Sequence, residues 1–241
     1  ELGRDSARRT REPVVFYPNG HTAAELEGAC PGMPGEVRVG YRPYDAAQWA
    51  WTAWAPVDPE RDYTHQFALD ALRPNTSYEI QVAARTAGGA PGQVRHGRFH
   101  TAPSPAAAAP ITFVVTTCYR YDRRDHADQG WPVYYAMLAQ DPHFFVHTGD
   151  IVYYDYLGKT PALARWHWQR SYSFPSNVDF HAQVASYFIK DDHDTWENDS
   201  WPGKVVPYMG DFTFEQGLAI FREQVPMGER TYRTVRWGRD L

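Results

Sequence analysis

FFVHTGDIVYYDY, residues 144–156, decides the fold. An apolar run ends in Thr148-Gly149-Asp150, and Tyr153, Tyr154, Asp155 and Tyr156 follow at once. A short continuous apolar run bounded by turn residues is the pattern of a strand buried on both faces of a sheet. Gly149 supplies the backbone freedom for a tight turn. Asp150 then leaves the carboxyl end of the strand, the edge at which open α/β sheets bind ligands.

Two other stretches repeat this grammar. ITFVVTT (111–117) runs into Cys118, and VASYFIKDDHD (184–194) runs into Asp191, Asp192, His193 and Asp194. WPVYYAMLAQ (131–140), PALARWHWQRSY (161–172) and FTFEQGLAIFREQV (212–225) read as helices, Pro132 being tolerated in a first turn. Strand, helix, strand, helix, strand predicts an α/β domain.

Upstream the pattern changes. Residues 12–102 read as all-β, with EVRVGYR (36–42), AWTAWAPV (50–57), YTHQFAL (63–69) and SYEIQVAART (77–86) as strands between turn residues. That spacing predicts a small sandwich. LRPNTSYEIQV (72–82) resembles the tyrosine corner of immunoglobulin-like and fibronectin type III domains, in which the Tyr78 phenol would bond back to the turn while Ile80 and Val82 enter the core. TAPSPAAAAP (101–110) lacks periodicity and reads as a linker. The expected organisation is a β-sandwich over 12–102, a linker over 103–110 and an α/β domain over 111–241.

Composition narrows the function. With 43% hydrophobic and 15% aromatic residues the chain can build packed cores. A net charge of −5 and a pI of about 6.1 leave no basic face for nucleic acid. No run approaches the roughly 18–20 apolar residues of a transmembrane helix, so no integral membrane segment is expected. Two cysteines, Cys30 and Cys118, are no disulfide scaffold. The chain begins at Glu1, which suits a mature product whose leader has been removed and equally a piece of a longer protein.

The strand ends carry the chemistry. Brought to one rim, Cys118, Asp150, Tyr153, Asp191, Asp192, His193 and Asp194 form a metal-ligand set rather than a nucleophile triad. Thiolate and phenolate suit a ferric or similarly acidic transition metal, and carboxylates suit Ca²⁺, Mg²⁺ or Mn²⁺. The acidic turn 191–194 is costly unless a cation neutralises it or it faces water. Each residue also has a plainer reading: a buried thiol for Cys118, a turn for Gly149-Asp150, a solvated loop for 191–194, packing for Tyr153. Their shared placement just past buried strands favours a site. Trp166, Trp168, Trp196 and Trp201 lie near the expected rim, where core packing and an apolar lining are both open.

TTCYR, HTGDIVYYDY and KDDHDTWENDSWPG together resemble the PhoD-type alkaline phosphatase/phosphodiesterase family of the calcineurin-like metallophosphoesterases. The resemblance implies hydrolysis of phosphate esters at a dinuclear metal site by a metal-activated water, and it also places a small β-sandwich before the catalytic domain. It makes Asp150 the carboxylate bridging two metals, with Cys118 and Tyr153 completing a ferric iron site. Asp192 would bind the second cation, calcium in this family, with manganese or zinc as alternatives. His193 would stand beside the substrate phosphate as proton donor or electrostatic stabiliser. Asp191, Asp194 and Asn198 would orient the ligands. Substrates implied are phosphomonoesters, diesters or phospholipids, since some relatives act as phospholipase D, and the implied location is secreted or periplasmic. The family carries a further histidine motif downstream, whereas no histidine follows His193 here, and TYRTVRWGRDL (231–241) reads as a strand entering a hairpin. The catalytic domain is therefore expected to be incomplete at its C-terminus and to need a companion C-terminal fragment. The alternative reading is a catalytically inactive remnant that acts as a binding module through its β-sandwich. A plain carbohydrate-binding sandwich accounts for residues 12–102 alone.

Overall fold

The computed structural model describes residues 20–241 and, before them, the two-residue strands β1 (Gly3–Arg4) and β2 (Val15–Phe16), which pair antiparallel. Residues 12–14 and 17–19 of the expected sandwich lie outside the described residues.

The upstream half is an antiparallel sheet. β3 (Glu36–Pro43) and β6 (Ser77–Arg85) form its centre, β7 (Val94–His100) flanks β6, and the short β4 (Ala50–Trp51) and β5 (Ala55–Pro56) share the far side of β3. Alternation sorts the side chains. Tyr78 stacks on Phe99 at 5.2 Å on one face, while on the other the Arg38 guanidinium lies 4.1 and 4.5 Å from the rings of Trp51 and Trp54. The tyrosine corner forms as anticipated, for the Arg73 amide donates to the Tyr78 hydroxyl at 2.8 Å.

The second layer of a sandwich is not found among the described residues, and the stretch 63–69 is not a strand. Its side chains serve a helix end instead. Thr64 Oγ1 donates to the Glu223 carbonyl at 3.2 Å, and Gln66 Nε2 donates to those of Arg222 and Val225 at 2.8 and 3.0 Å. These are carbonyls of the kind that a helix C-terminus leaves without intrahelical partners. A segment tied to them side-on is not presented to a neighbouring strand.

The downstream half matches the α/β expectation. β8 (Phe113–Thr116), β9 (Phe144–His147) and β10 (Ala185–Phe188) form a parallel sheet ordered β10-β9-β8. Parallel pairing sends all three carboxyl ends to one rim. The helices are α1 (Val133–Leu138), α2 (Tyr154–Leu157), α3 (Pro161–Tyr172), α4 (Pro175–His181) and α5 (Phe214–Gln224). The starts of the two longest follow from sequence. Thr160 caps α3 with Pro161 in its first turn, and Thr213 with Gln216 makes a capping box on α5. Among the described residues, no helix is long and apolar enough to cross a membrane.

The two faces of the parallel sheet differ. Phe145 is buried against Phe180 at 5.2 Å and His147 packs beside Tyr119, which places the core between sheet and helices. On the opposite face Phe144 stacks on Phe113 at 5.1 Å and is covered by Trp237 at 4.6 Å. Phe113 and Val115, however, are 44% and 51% exposed. β8 is therefore partly buried on one face and bare on the other, contrary to the two-sided burial that its run of apolar residues implies. Among the described residues no further layer lies over it. The anticipated hairpin strand in 231–241 is absent as well, because the chain turns there, with the Trp237 amide donating to the Leu241 carbonyl at 2.8 Å and Trp237 Nε1 donating to the Tyr187 hydroxyl at 3.1 Å.

Candidate metal centre

The rim of the parallel sheet is held in unusual backbone geometry. Cys118 and Asp150, each soon after the end of its strand, adopt left-handed φ values of 52° and 54°, and Gly149 has φ 105°. For residues other than glycine such conformations cost about 1–3 kcal/mol and persist where the surroundings enforce them, most often at functional sites. The enforcement is visible. The Cys118 amide donates to the Gly149 carbonyl at 3.2 Å and the Tyr119 amide to the Asp150 carbonyl at 3.3 Å, tying the β8 and β9 loops together. The β10 loop comes so close that a Cβ on Gly149 would meet Asp191 Cβ at 2.5 Å.

These loops aim side chains at the Asp150 carboxylate. Its Oδ2 accepts hydrogen bonds from the Tyr153 hydroxyl at 3.0 Å and from the Cys118 thiol at 3.3 Å, while its Oδ1 is buried with no partner among the described residues. Buried polar atoms are normally satisfied, so an orphaned carboxylate oxygen fits a cation. Ligand atoms of Asp150, Asp192 and His193 lie within 4.8 Å of one another. Oxygen and nitrogen donors gathered this closely, with the Cys118 sulfur 3.3 Å from Asp150 Oδ2, suit a metal cation. Cys30 and Cys118 are both free thiols, so Cys118 is available to such a site.

The electrostatics are those of crowded acids. Burial pushes the Asp150 carboxyl above its ordinary value, against the opposing pull of Cys118, His193 and Tyr153. Burial and the Asp150 carboxylate hold the Tyr153 phenol far above its ordinary value. The Thr117 hydroxyl favours the Cys118 thiolate, but partial burial and Asp150 win and raise the thiol. Asp192 moves the other way. Its partial burial is outweighed by backbone amides of Asp199 and His193 and by the His193 charge, which hold it below the usual carboxylate range. Burial and the crowding of acids thus favour the protonated forms of Tyr153, Cys118 and Asp150, a bias that a bound cation would oppose.

His193 was anticipated; the group that orients it was not. His193 Nδ1 lies 2.9 Å from Asp155 Oδ1 with both residues buried, which leaves Nε2 as the ring nitrogen available to the site. Burial lowers the imidazole's affinity for a proton, but the Asp155 carboxylate overrides this and raises its pKa. Asp155 stands in the first turn of α2. In sequence an acid there looks like any residue favouring a helix N-terminus, and only the return of the chain at His193 shows its use.

The remaining anticipated residues sit as follows. Asp191 Oδ1 accepts from the Asp192 amide at 2.9 Å within the turn. Asp194 is fully buried, and burial raises its carboxyl to about 8. Asn198 is exposed, with its side-chain amide donating to Asp199 Oδ2 at 2.7 Å. Of the four tryptophans, Trp166, Trp168 and Trp196 are core, whereas Trp201 is 56% exposed.

A parallel α/β layer with a thiol, a phenol, carboxylates and an imidazole at its strand ends defines a candidate metal-binding domain. Comparison with known proteins narrows its fold. A structure of PhoD is similar to 84% of this chain at 17% identity, with a TM-score of 0.65, and the chain spans 41% of PhoD's length. Over that portion the two share a fold. A purple acid phosphatase, PPD1 from yellow lupin (Lupinus luteus) seeds, is similar to 79% of the chain and is spanned to 35%, at 15% identity; its TM-score of 0.49 is too low to carry an argument. No family model matches the chain, and no curated protein matches it.

Proposed function

We propose that this chain carries part of a PhoD-type metallophosphoesterase, which hydrolyses phosphate esters, whether monoesters, diesters or phospholipids. The observation that carries the reading is the Asp150 carboxylate, with one oxygen shared by Cys118 and Tyr153 and the other buried, unpartnered and close to Asp192 and His193. In this reading Cys118, Tyr153 and Asp150 would hold ferric iron, and Asp150 with Asp192 would hold calcium, manganese or zinc being the alternatives. When bound, such ions supply positive charge for the phosphoryl oxygens and acidify water for attack on phosphorus. Asp192, kept ionised by its backbone donors, offers an anionic oxygen at the mouth. His193, fixed through Nδ1 by Asp155, presents Nε2 to protonate the departing oxygen.

The same reading divides the chain into a sandwich domain at 12–102, a linker at 103–110 and the first part of the catalytic domain at 111–241. It includes a companion C-terminal polypeptide that completes the catalytic domain. The exposed Phe113 and Val115 support this, because parallel sheets are ordinarily covered on both faces. A secreted or periplasmic location belongs to the same proposal. The test is elemental analysis of the protein from its native source, joined to hydrolysis of p-nitrophenyl phosphate and bis-p-nitrophenyl phosphate. Bound transition metal and activity that Asp150→Ala abolishes are expected. An active Asp150→Ala variant of normal metal content would overturn the reading, and a metal-free, inert protein would move the inactive binding module to the front.

A further inference from the structure

We propose that Asp194 is the positioning residue that sets the distance between the loop carrying Asp150 and the loop carrying Asp192; the inference rests on the metal-site reading above. Asp194 Oδ1 accepts two backbone hydrogen bonds, from the Asp150 amide at 3.2 Å and from the Asp191 amide at 3.0 Å. One amide belongs to the loop after β9 and the other to the loop after β10. A single buried oxygen therefore joins the two segments that supply the carboxylates. Asp194 is 0% exposed, and its Oδ2 has no partner among the described residues. The hydrogen bonding described for this carboxyl thus serves the two loops through Oδ1.

The acceptor is itself anchored. The Thr195 and Trp196 amides donate to the Asp192 carbonyl at 3.0 and 2.8 Å, and Thr195 Oγ1 donates to the Asp191 carbonyl at 2.6 Å. Asp194 thus projects from a closed turn rather than from a loose loop. Gly149 allows the approach that the carboxyl then holds, since any side chain there would strike Asp191. Asp150 is left-handed, and its amide is the one that Asp194 receives. Without that acceptor, two amides would lack a partner, and each would turn toward water. That turn would carry the Asp150 and Asp192 side chains apart.

The role needs an acceptor at Oδ1 and no charge. Asp194→Asn keeps a carbonyl oxygen there, whereas Asp194→Leu fills similar space without one. Mn²⁺ binding to the metal-free purified protein, followed by calorimetry, is expected to change less than about 3-fold in the Asn variant. In the Leu variant it should weaken by about 10–100-fold, the loss typical of removing groups that orient metal ligands. Amide exchange in the metal-free wild type should show the Asp150 and Asp191 amides protected together. Equal Mn²⁺ binding in all three proteins would overturn the inference, as would equal weakening in both variants, which would make Asp194 a charge rather than a clamp. Should the Leu variant not fold, the exchange of those two amides in wild type and Asn variant decides, and rapid exchange of either overturns the inference. A wild type that binds no Mn²⁺ and has both amides protected would sink the metal-site reading while leaving the clamp standing.

Discussion

Replacing Asp155 by Asn separates what the carboxylate does to the proton on His193 from what it does to the ring's direction. The amide oxygen can still accept from Nδ1–H, so the ring keeps its orientation while the charge is lost. A hydrogen bond to a charged group contributes about 1.5–3 kcal/mol, and each pKa unit corresponds to about 1.36 kcal/mol. At 2.9 Å and with both partners buried, the loss of the charged partner should lower the His193 pKa. Burial then dominates, and the imidazole should fall below the ordinary histidine value instead of lying above it. The assay is an NMR pH titration of the His193 ring in metal-free protein, wild type beside variant. Stability provides an independent check. A raised folded-state pKa contributes stability that is complete below the unfolded value and is lost as pH rises through the folded one. Wild type should therefore exceed the variant by more at pH 5.5 than at pH 8.5 in urea unfolding. A His193 titration that is unmoved in a folded Asp155→Asn protein would refute the assigned coupling.

Gly149→Ala should destabilise the protein by at least about 2 kcal/mol in urea unfolding, since it adds left-handed strain to a Cβ that meets Asp191; a neutral effect would mean that the loops are not in contact. Cys118→Ala should lower bound transition metal while the apo-protein melts within about 2 °C of wild type, because an exposed thiol contributes little packing; unchanged metal content would remove the thiol from the site. Phe145→Ala should cost about 3–5 kcal/mol as a core truncation, whereas Val115→Glu on the bare face should fall within about 0.5 kcal/mol for this chain alone. Equal losses at Phe145 and Val115 in chemical denaturation would show that a layer already covers the open face.

How much was legible depended on the range of the interactions. The stretches 161–172 and 212–225 read as helices and form α3 and α5, whose Thr160 and Thr213 caps act within one turn. The three parallel strands were readable from their apolar runs, and the tyrosine corner from Leu72, the Pro74 turn and Tyr78. The stretch 63–69 misled because its alternation is real, while the partner that claims it, the end of α5, lies some 160 residues on in sequence. α4 was missed because it is a short element, begun at Pro175, that carries little amphipathic pattern. At the site, residue types and strand ends could be read, but the pairing of Asp155 with His193 could not.

By itself, the sequence determined that strands end in Cys118, Asp150 and Asp191–Asp192, and that these residue types suit a metal. Side-chain chemistry and local punctuation are properties of neighbouring residues, so they survive being read along a line. Tertiary structure decided the rest: that one oxygen of Asp150 is shared by a thiol and a phenol, that Asp155 orients His193, that Asp194 receives amides from two loops, and that one face of β8 stays bare. Each of those facts rests on segments brought together by folding, where distance and burial, rather than order along the chain, set the energy.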